Sequence, residues 1–247
     1  HAGLVLTYLK QLFAWAEDRE IIDASPVATL KASKIGIGLT PTTRSRVLTK
    51  AETRTLWTLN SPPSGMQAIT LMALQMILLL GQRPGEVSGM RWDEIKGDTW
   101  IIPPERRGKT QDSHAVPLTD TARRLLNQAE GSGAYVFSAR DGQPIKATAI
   151  ARAVRRCGDR LGSEAQLWRP HDLRRTMRTG LATAGIPEHV AELTIGHVRR
   201  GIAAVYDQHR YDQEKRRALE SWELQLERIA NDVSSGDNVI ALQAGKT

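Results

Sequence analysis

The stretch from Ile69 to Leu80 is the longest apolar run in the chain, broken only by Thr70 and Gln75. It falls short of the roughly 20 residues that a membrane span needs. Residues 64–80 therefore read as a helix that is apolar on most sides and buried at the centre of a domain. The chain has 247 residues, 40% of them hydrophobic and 25% charged. That size suits one large domain, or one domain with a smaller partner, and supplies enough apolar surface for a real core.

Residues 3–18 place Leu4, Leu6, Leu9, Leu12, Phe13, Trp15 and Ala16 at mainly helical spacings. A turn follows near Asp23 to Pro26, where the proline forces extended backbone on Ser25. From Lys31 to Arg46 the chain has two glycines, three threonines, a proline and the cations Lys31, Lys34, Arg44 and Arg46. With no apolar periodicity, this segment reads as a basic interdomain linker. Thr49 and Glu52 have the spacing of a capping box and open a second, larger domain. Two β candidates, 99–102 and 114–118, are joined by a polar, basic connection and predict a hairpin or small sheet. Further helices are expected at about 119–129, 146–160, 171–184, 187–195, 199–209 and 212–230. The fold class is thus mainly α with a small antiparallel β-sheet (α+β). The expected organisation is a partial helical domain with its linker over 1–44, a main domain over 45–230, and a tail over 231–247. That tail holds a four-residue apolar patch, Val239 to Leu242, that could dock on a neighbouring protomer. Because the chain opens on His1 in a helical pattern, it is expected to be part of a longer protein.

Lys and Arg number 34 against 27 Asp and Glu, a formal charge of +7 and a sequence pI of about 9.8. An excess of that size points to a polyanionic partner, nucleic acid first and an anionic membrane surface second. Cys157 is the lone cysteine, so an internal disulfide or a Cys-rich zinc site is excluded, and a reducing cytosol is favoured. No secretory signal opens the chain.

Four polar clusters carry chemistry. The first runs from Gly81 to Val87, where Pro84 suits a first helical turn and Arg83 and Glu86 can pair at i,i+3. On its own this is more often a structural ion pair; the functional reading is a guanidinium held by Glu86 to grip a phosphate. The second is Arg106-Arg107-Gly108-Lys109-Thr110 in the β connection, where a flexible lysine could reach a bound backbone. In the third, His171 and Arg174 share one helical face, opposite Leu173, Met177 and Leu181. The fourth is Gly196-His197 followed by Tyr206, and a tyrosine on an apolar helical face is most often a core residue.

In this order, Arg83, Lys109, His171 with Arg174, His197 and Tyr206 resemble the tyrosine recombinase family, the phage integrases and their relatives. The matching pieces are Arg-x-x-Glu at Arg83, the hairpin Lys109, His-x-x-Arg at His171, Gly196-His197, and Tyr206, over roughly residues 45–230. Tyr206-Asp207 followed by Tyr211 and Trp222 is similar to the prophage-type integrases. Residues 1–44 resemble the last helices of that family's core-binding domain. The resemblance implies a DNA strand-transfer enzyme with Tyr206 as nucleophile and Arg83, Lys109, His171, Arg174 and His197 as catalytic groups, Glu86 supporting Arg83. It implies no cofactor and no metal. Its partners would be double-stranded DNA at attachment or core sites, other protomers in a homo-tetramer on that DNA, and accessory DNA-bending proteins, with no membrane. The place of action would be the bacterial cytoplasm, at the nucleoid. Lys31, Lys34, Arg44, Arg46, Arg106, Arg107 and Arg175 are the expected DNA-binding cations. Lys96 competes with Lys109, and Tyr211 with Tyr206; His197 stands where some family members carry Trp. A DNA-binding relative without catalysis, a type IB topoisomerase and a merely basic helical scaffold are the rival readings.

Overall fold

The structure, a computed structural model, describes residues 2–31, 45–108, 112–129, 133–139, 141–162, 167–197 and 211–231. The chain divides into two units, His1–Arg44 and Ser45–Thr247. In the first, helix α1 (Ala2–Asp18) forms where the leucine spacing predicts it. Lys10 Nζ donates to Ala28 O at 3.2 Å, holding the following turn against the helix. Arg19 stacks over the Trp15 ring at 4.9 Å. Leu4, Val5, Tyr8, Leu12 and Trp15 are all exposed.

The second unit opens with α2 (Lys50–Thr58) and the expected capping box. Thr49 N donates to Glu52 Oε2 at 2.9 Å and Glu52 N to Thr49 Oγ1 at 3.1 Å. Two of the four donors that a helix start leaves open are thereby satisfied. Helix α3 (Ala68–Leu80) starts four residues later than the apolar pattern suggests and is buried continuously from Ala73 to Leu80. Gln75 interrupts that run because its amide is bonded elsewhere: Nε2 donates to the carbonyls of Leu56 (3.3 Å), in the last turn of α2, and Leu59 (3.0 Å), just past its end. A buried amide is tolerable only when paired in this way.

After the short α4 (Pro84–Ser88) comes a sheet in the order β1-β2-β3, all antiparallel. Strands β2 (Thr99–Ile102) and β3 (His114–Pro117) are the anticipated pair, with Trp100 opposite Val116. Strand β1 (Ile95–Lys96) was not legible, since two residues cannot display an alternation. Helices α5 (Asp120–Ala129), α6 (Ala147–Cys157) and α7 (Pro170–Thr183) pack on α3. Helix α8 (Glu188–Thr194) packs on α7. The last described helix, α9 (Asp212–Ala230), crosses α2, α3, α7, α8 and β3. It is tied down by Trp222 Nε1 to Leu78 O, Glu223 Oε1 accepting from Thr121 N, and Lys215 Nζ to Ala115 O, each at 2.9 Å. The helix expected at 199–209 and the tail from 232 lie outside the described residues. No described helix is long and apolar enough to cross a membrane.

Candidate active site

The site grows from three helix ends. Helix α3 stops at Gly81, whose φ of 65° is left-handed and whose N–H caps Ile77 O at 2.9 Å. A Cβ here would lie 2.7 Å from Met177 Sδ and 3.2 Å from Ile195 Cγ2, so only glycine lets this turn meet α7 and the end of α8. Gln82 turns inward, donating to Leu80 O at 2.7 Å and to Thr194 O at 2.9 Å. Arg83 then stands in extended backbone ahead of Pro84, the first residue of α4. The buried Glu86 accepts from Arg83 N at 2.8 Å and from Arg83 Nη1 at 2.6 Å. The i,i+3 pair read from sequence is therefore formed, and it leaves the Arg83 side chain 38% exposed.

Helix α7 begins at Pro170, with Asp172 Oδ2 capping Arg169 N at 2.9 Å. His171, Arg174 and Arg178 follow at i, i+3 and i+7, one stripe of the helix. Arg174 is buried, and its Nη1 donates both to Gly81 O (2.9 Å) and to Ile195 O (2.5 Å), joining the ends of α3 and α8. Its other terminal nitrogen, Nη2, is buried with no hydrogen-bond partner. Burial, then the nearby Arg83, pushes the Arg174 guanidinium down to about 10, so it remains charged at neutral pH. His171 is exposed; partial desolvation, followed by Arg174 and Arg175, lowers its pKa and keeps the imidazole neutral at pH 7.

The third end is the Gly196-His197 turn. Gly196 has φ 75°, and a Cβ there would lie 2.9–3.0 Å from the His114 ring and 3.3 Å from Arg107 Nη2. Arg107 is buried, bridging Asp112 O (2.7 Å) and Gly196 O (2.6 Å). His114 is pushed down to about 3 by burial and then by Lys215 and Arg107, so it is a neutral packing element behind the turn. His197 is half exposed; its Nδ1 bonds Glu192 Oε2 and its backbone N donates to Glu192 O at 2.9 Å. Arg178 Nε holds the other carboxylate oxygen of Glu192 at 2.6 Å. Burial opposes ionisation of Glu192, but the hydrogen bonds from Arg178 and His197 outweigh it and hold the carboxyl below its usual range.

Arg83, Glu86, His171, Arg174 and His197, five of the residues picked out from sequence, thus surround one set of helix ends. Lys109 and Tyr206 lie outside the described residues, as do Lys34 and Arg44. Several of the expected DNA-binding cations have other partners. Arg107 is the internal clamp just described. Arg106 pairs with the buried Glu94 and with Glu86 O. Arg46 pairs with the buried Glu52, and Arg175 bonds Asp172 at 2.9 Å. The distant acceptors, Glu94 and Glu86 O for Arg106 and Gly196 O for Arg107, are ones that only the fold brings near, whereas Asp172 sits three residues from Arg175 on the same helix. Lys31 is exposed in the first unit, and Lys96 is exposed on β1. Tyr211 is the residue before α9, in left-handed backbone, with its ring edge-on to His189 at 5.5 Å. Sequence reasoning missed Arg178, Glu192, Gln82 and His114. Only Arg178 carried a local signal, at i+4 from Arg174.

Two guanidiniums, one with an open donor, and two imidazoles make a cationic site suited to a tetrahedral oxyanion, where fixed donors stabilise developing charge. Among the described residues no group of three or more His, Cys, Asp or Glu side chains could hold a metal ion.

Comparison with known proteins bears on the same region. The family model described as the phage integrase family matches residues 46–213. Prophage integrase IntZ of Escherichia coli (strain K12) is 30% identical over 157 residues, covering 61% of this chain and 38% of that protein. Tyrosine recombinase XerC of Xylella fastidiosa (strain M23) is 27% identical over 208 residues, covering 81% of this chain and 67% of the relative. The chain therefore spans well under half the length of the prophage integrase. Among solved structures, a lambda integrase dimer bound to a COC′ core site aligns with a TM-score of 0.61 at 18% identity, over 81% of this chain and 75% of that one. A lambda integrase tetramer bound to a Holliday junction aligns with a TM-score of 0.59 at 20% identity, over 84% and 59%. At these identities the structures establish a shared fold, mostly helical with a small antiparallel sheet. With the family model covering the greater part of the chain, including every helix end that builds the site, the chain belongs to the phage integrase family.

Proposed function

We propose that this chain carries the catalytic domain of a tyrosine-type site-specific recombinase, an integrase that cleaves and rejoins DNA in the integration and excision of a prophage or genomic island. One observation carries the reading furthest: Arg174 is a buried, charged guanidinium with an unpartnered Nη2, set at the meeting point of three helix ends within electrostatic reach of Arg83. A buried charge with an open donor is costly unless an anion completes it. A scissile phosphate is that anion. In the reaction, the Tyr206 oxygen attacks phosphorus, a 3′-phosphotyrosine bond forms and the bond to the 5′ oxygen breaks. Arg83, Arg174 and His197 stabilise the non-bridging oxygens. The neutral His171 accepts the Tyr206 proton, and Lys109 delivers a proton to the leaving 5′ oxygen. One phosphodiester is exchanged for another, so the bond energy is conserved and the return step needs no ATP.

Two exchanges on two duplexes call for a tetramer on DNA at core or attachment sites, the assembly seen for lambda integrase on a Holliday junction. Residues 1–44 would be the end of a core-binding domain whose cations Lys31, Lys34 and Arg44 grip the backbone, 231–247 a protomer contact, and DNA-bending proteins accessory partners. The enzyme would act in the cytoplasm, at the nucleoid. Trapping on a nicked duplex with the cognate core site, in EDTA, tests the chemistry. A covalent 3′ adduct that disappears in Tyr206→Phe is expected. An adduct surviving that change moves the nucleophile to Tyr211, and tight binding without any adduct from the wild type leaves a DNA-binding relative without catalysis.

A further inference from the structure

Resting on the reading of His197 as a phosphate-facing group, we infer that Glu192 is its positioning residue, held in turn by Arg178, so that Arg178–Glu192–His197 orients the imidazole of the site. Three contacts converge on one carboxylate and its own backbone. Glu192 Oε1 accepts from Arg178 Nε at 2.6 Å, Oε2 bonds His197 Nδ1, and Glu192 O accepts from His197 N at 2.9 Å. The ring is thus held at the backbone and at one nitrogen. The base of the relay is rigid: Arg178 lies one turn beyond Arg174 on α7, and Arg174 itself bonds Ile195 O at 2.5 Å in the turn that presents His197. Since Nδ1 is engaged by an acceptor that carries no proton, its hydrogen sits on Nδ1, and Nε2 is the nitrogen left to face a ligand. When Nε2 also gains a proton and donates to a phosphate oxygen, Glu192 balances the charge. The arrangement follows the general pattern in which a carboxylate fixes the tautomer and direction of a working histidine.

The carboxylate's two-sided grip makes the substitution Glu192→Gln informative. Arg178 offers only donors, so it claims the amide oxygen. The amide NH₂ then faces His197 Nδ1 as a donor, and the neutral ring must move its proton to Nε2. The test uses the full chain, ¹⁵N-labelled at histidine, with long-range ¹⁵N–¹H spectra recorded where His197 is neutral and its signals assigned by their loss in His197→Ala. The expected result is the Nδ1–H tautomer in the wild type and the Nε2–H tautomer in Glu192→Gln. The same tautomer in both proteins overturns the proposal.

A second measurement follows single-turnover adduct formation on the nicked duplex. Glu192→Gln is expected to slow it about tenfold with DNA affinity unchanged within about twofold. The double variant with His197→Ala should be no slower than His197→Ala alone, because Glu192 acts through that ring. Additive losses overturn the positioning role. If the tautomer switches as expected but His197→Ala cleaves at the wild-type rate, the catalytic reading of His197 is what falls, and Glu192's part in the reaction falls with it.

Discussion

Two arginine centres, one partly buried around Arg106 and one buried around Arg174, use the same chemistry to opposite ends. At the sheet, Arg106 meets the buried Glu94, which also accepts from Trp100 Nε1 at 2.9 Å and Arg91 N at 3.2 Å, and Arg106 Nη2 takes Glu86 O. Donors and carboxylate are matched, and the cluster is finished without a ligand. At the helix ends, Arg174 donates through Nη1 to two carbonyls and keeps Nη2 unpartnered, with Arg83 beside it adding charge of the same sign. Residue type does not separate the two. The difference lies at the terminal nitrogens: both of Arg106 are bonded within the fold, whereas Nη2 of Arg174 is left open with a second guanidinium near it, where an anion would complete the pair.

The largest effect expected from this contrast is on chemistry. Arg174→Gln should slow adduct formation on a nicked duplex about a thousandfold, the loss of a main oxyanion donor, while duplex binding by fluorescence anisotropy changes little. Near-normal cleavage would mean that Nη2 is not a ligand group. Glu94→Ala should do the reverse: it strands Arg106 and Trp100 Nε1 without their acceptor and costs about 3 kcal/mol in urea unfolding, yet cleavage per folded molecule should persist. If cleavage fell with stability spared, the sheet cluster would belong to the site.

Smaller effects probe the turn that presents His197 and the His114 ring behind it. Gly196→Ala puts a Cβ against His114 in left-handed backbone and should cost about 1–2 kcal/mol, read as a lower midpoint in the same unfolding assay. His114 supplies a pH signature. Its folded pKa, about 3, lies below its unfolded value of 6.5. Between those values the unfolded chain binds the extra proton, so stability falls as pH drops from 6.5 towards 3 and is fully present above 6.5. The slope from this one group should not exceed about 1.4 kcal/mol per pH unit, and His114→Leu should flatten it. An unchanged slope would place the acid sensitivity elsewhere.

What the chain disclosed before folding was everything carried by neighbours in sequence. The apolar run around Ile77 announced the central helix, Thr49 and Glu52 their capping box, and Arg83 and Glu86 their pairing, because i,i+3 spacing on a helix is a local fact. The order of Arg83, His171, Arg174 and His197 was readable in the same way. The strand β1 was too short to show a pattern, and Glu192 looked like any acidic residue on a short helix.

Tertiary structure alone decided which cations have partners inside the fold. Arg46, Arg106 and Arg107 are among the expected DNA-binding cations, and each has a partner within the fold: Glu52, Glu94 and Gly196 O. It also decided that Gly81 and Gly196 bring separate helix ends to Arg174, and that Arg178 reaches Glu192 across the gap from α7 to α8. Residue types and spacing set what a side chain is able to donate. Whether that donor is already used depends on which carbonyl or carboxylate packing delivers to it, and residues 89 positions apart, such as Arg107 and Gly196, meet only through the folded core.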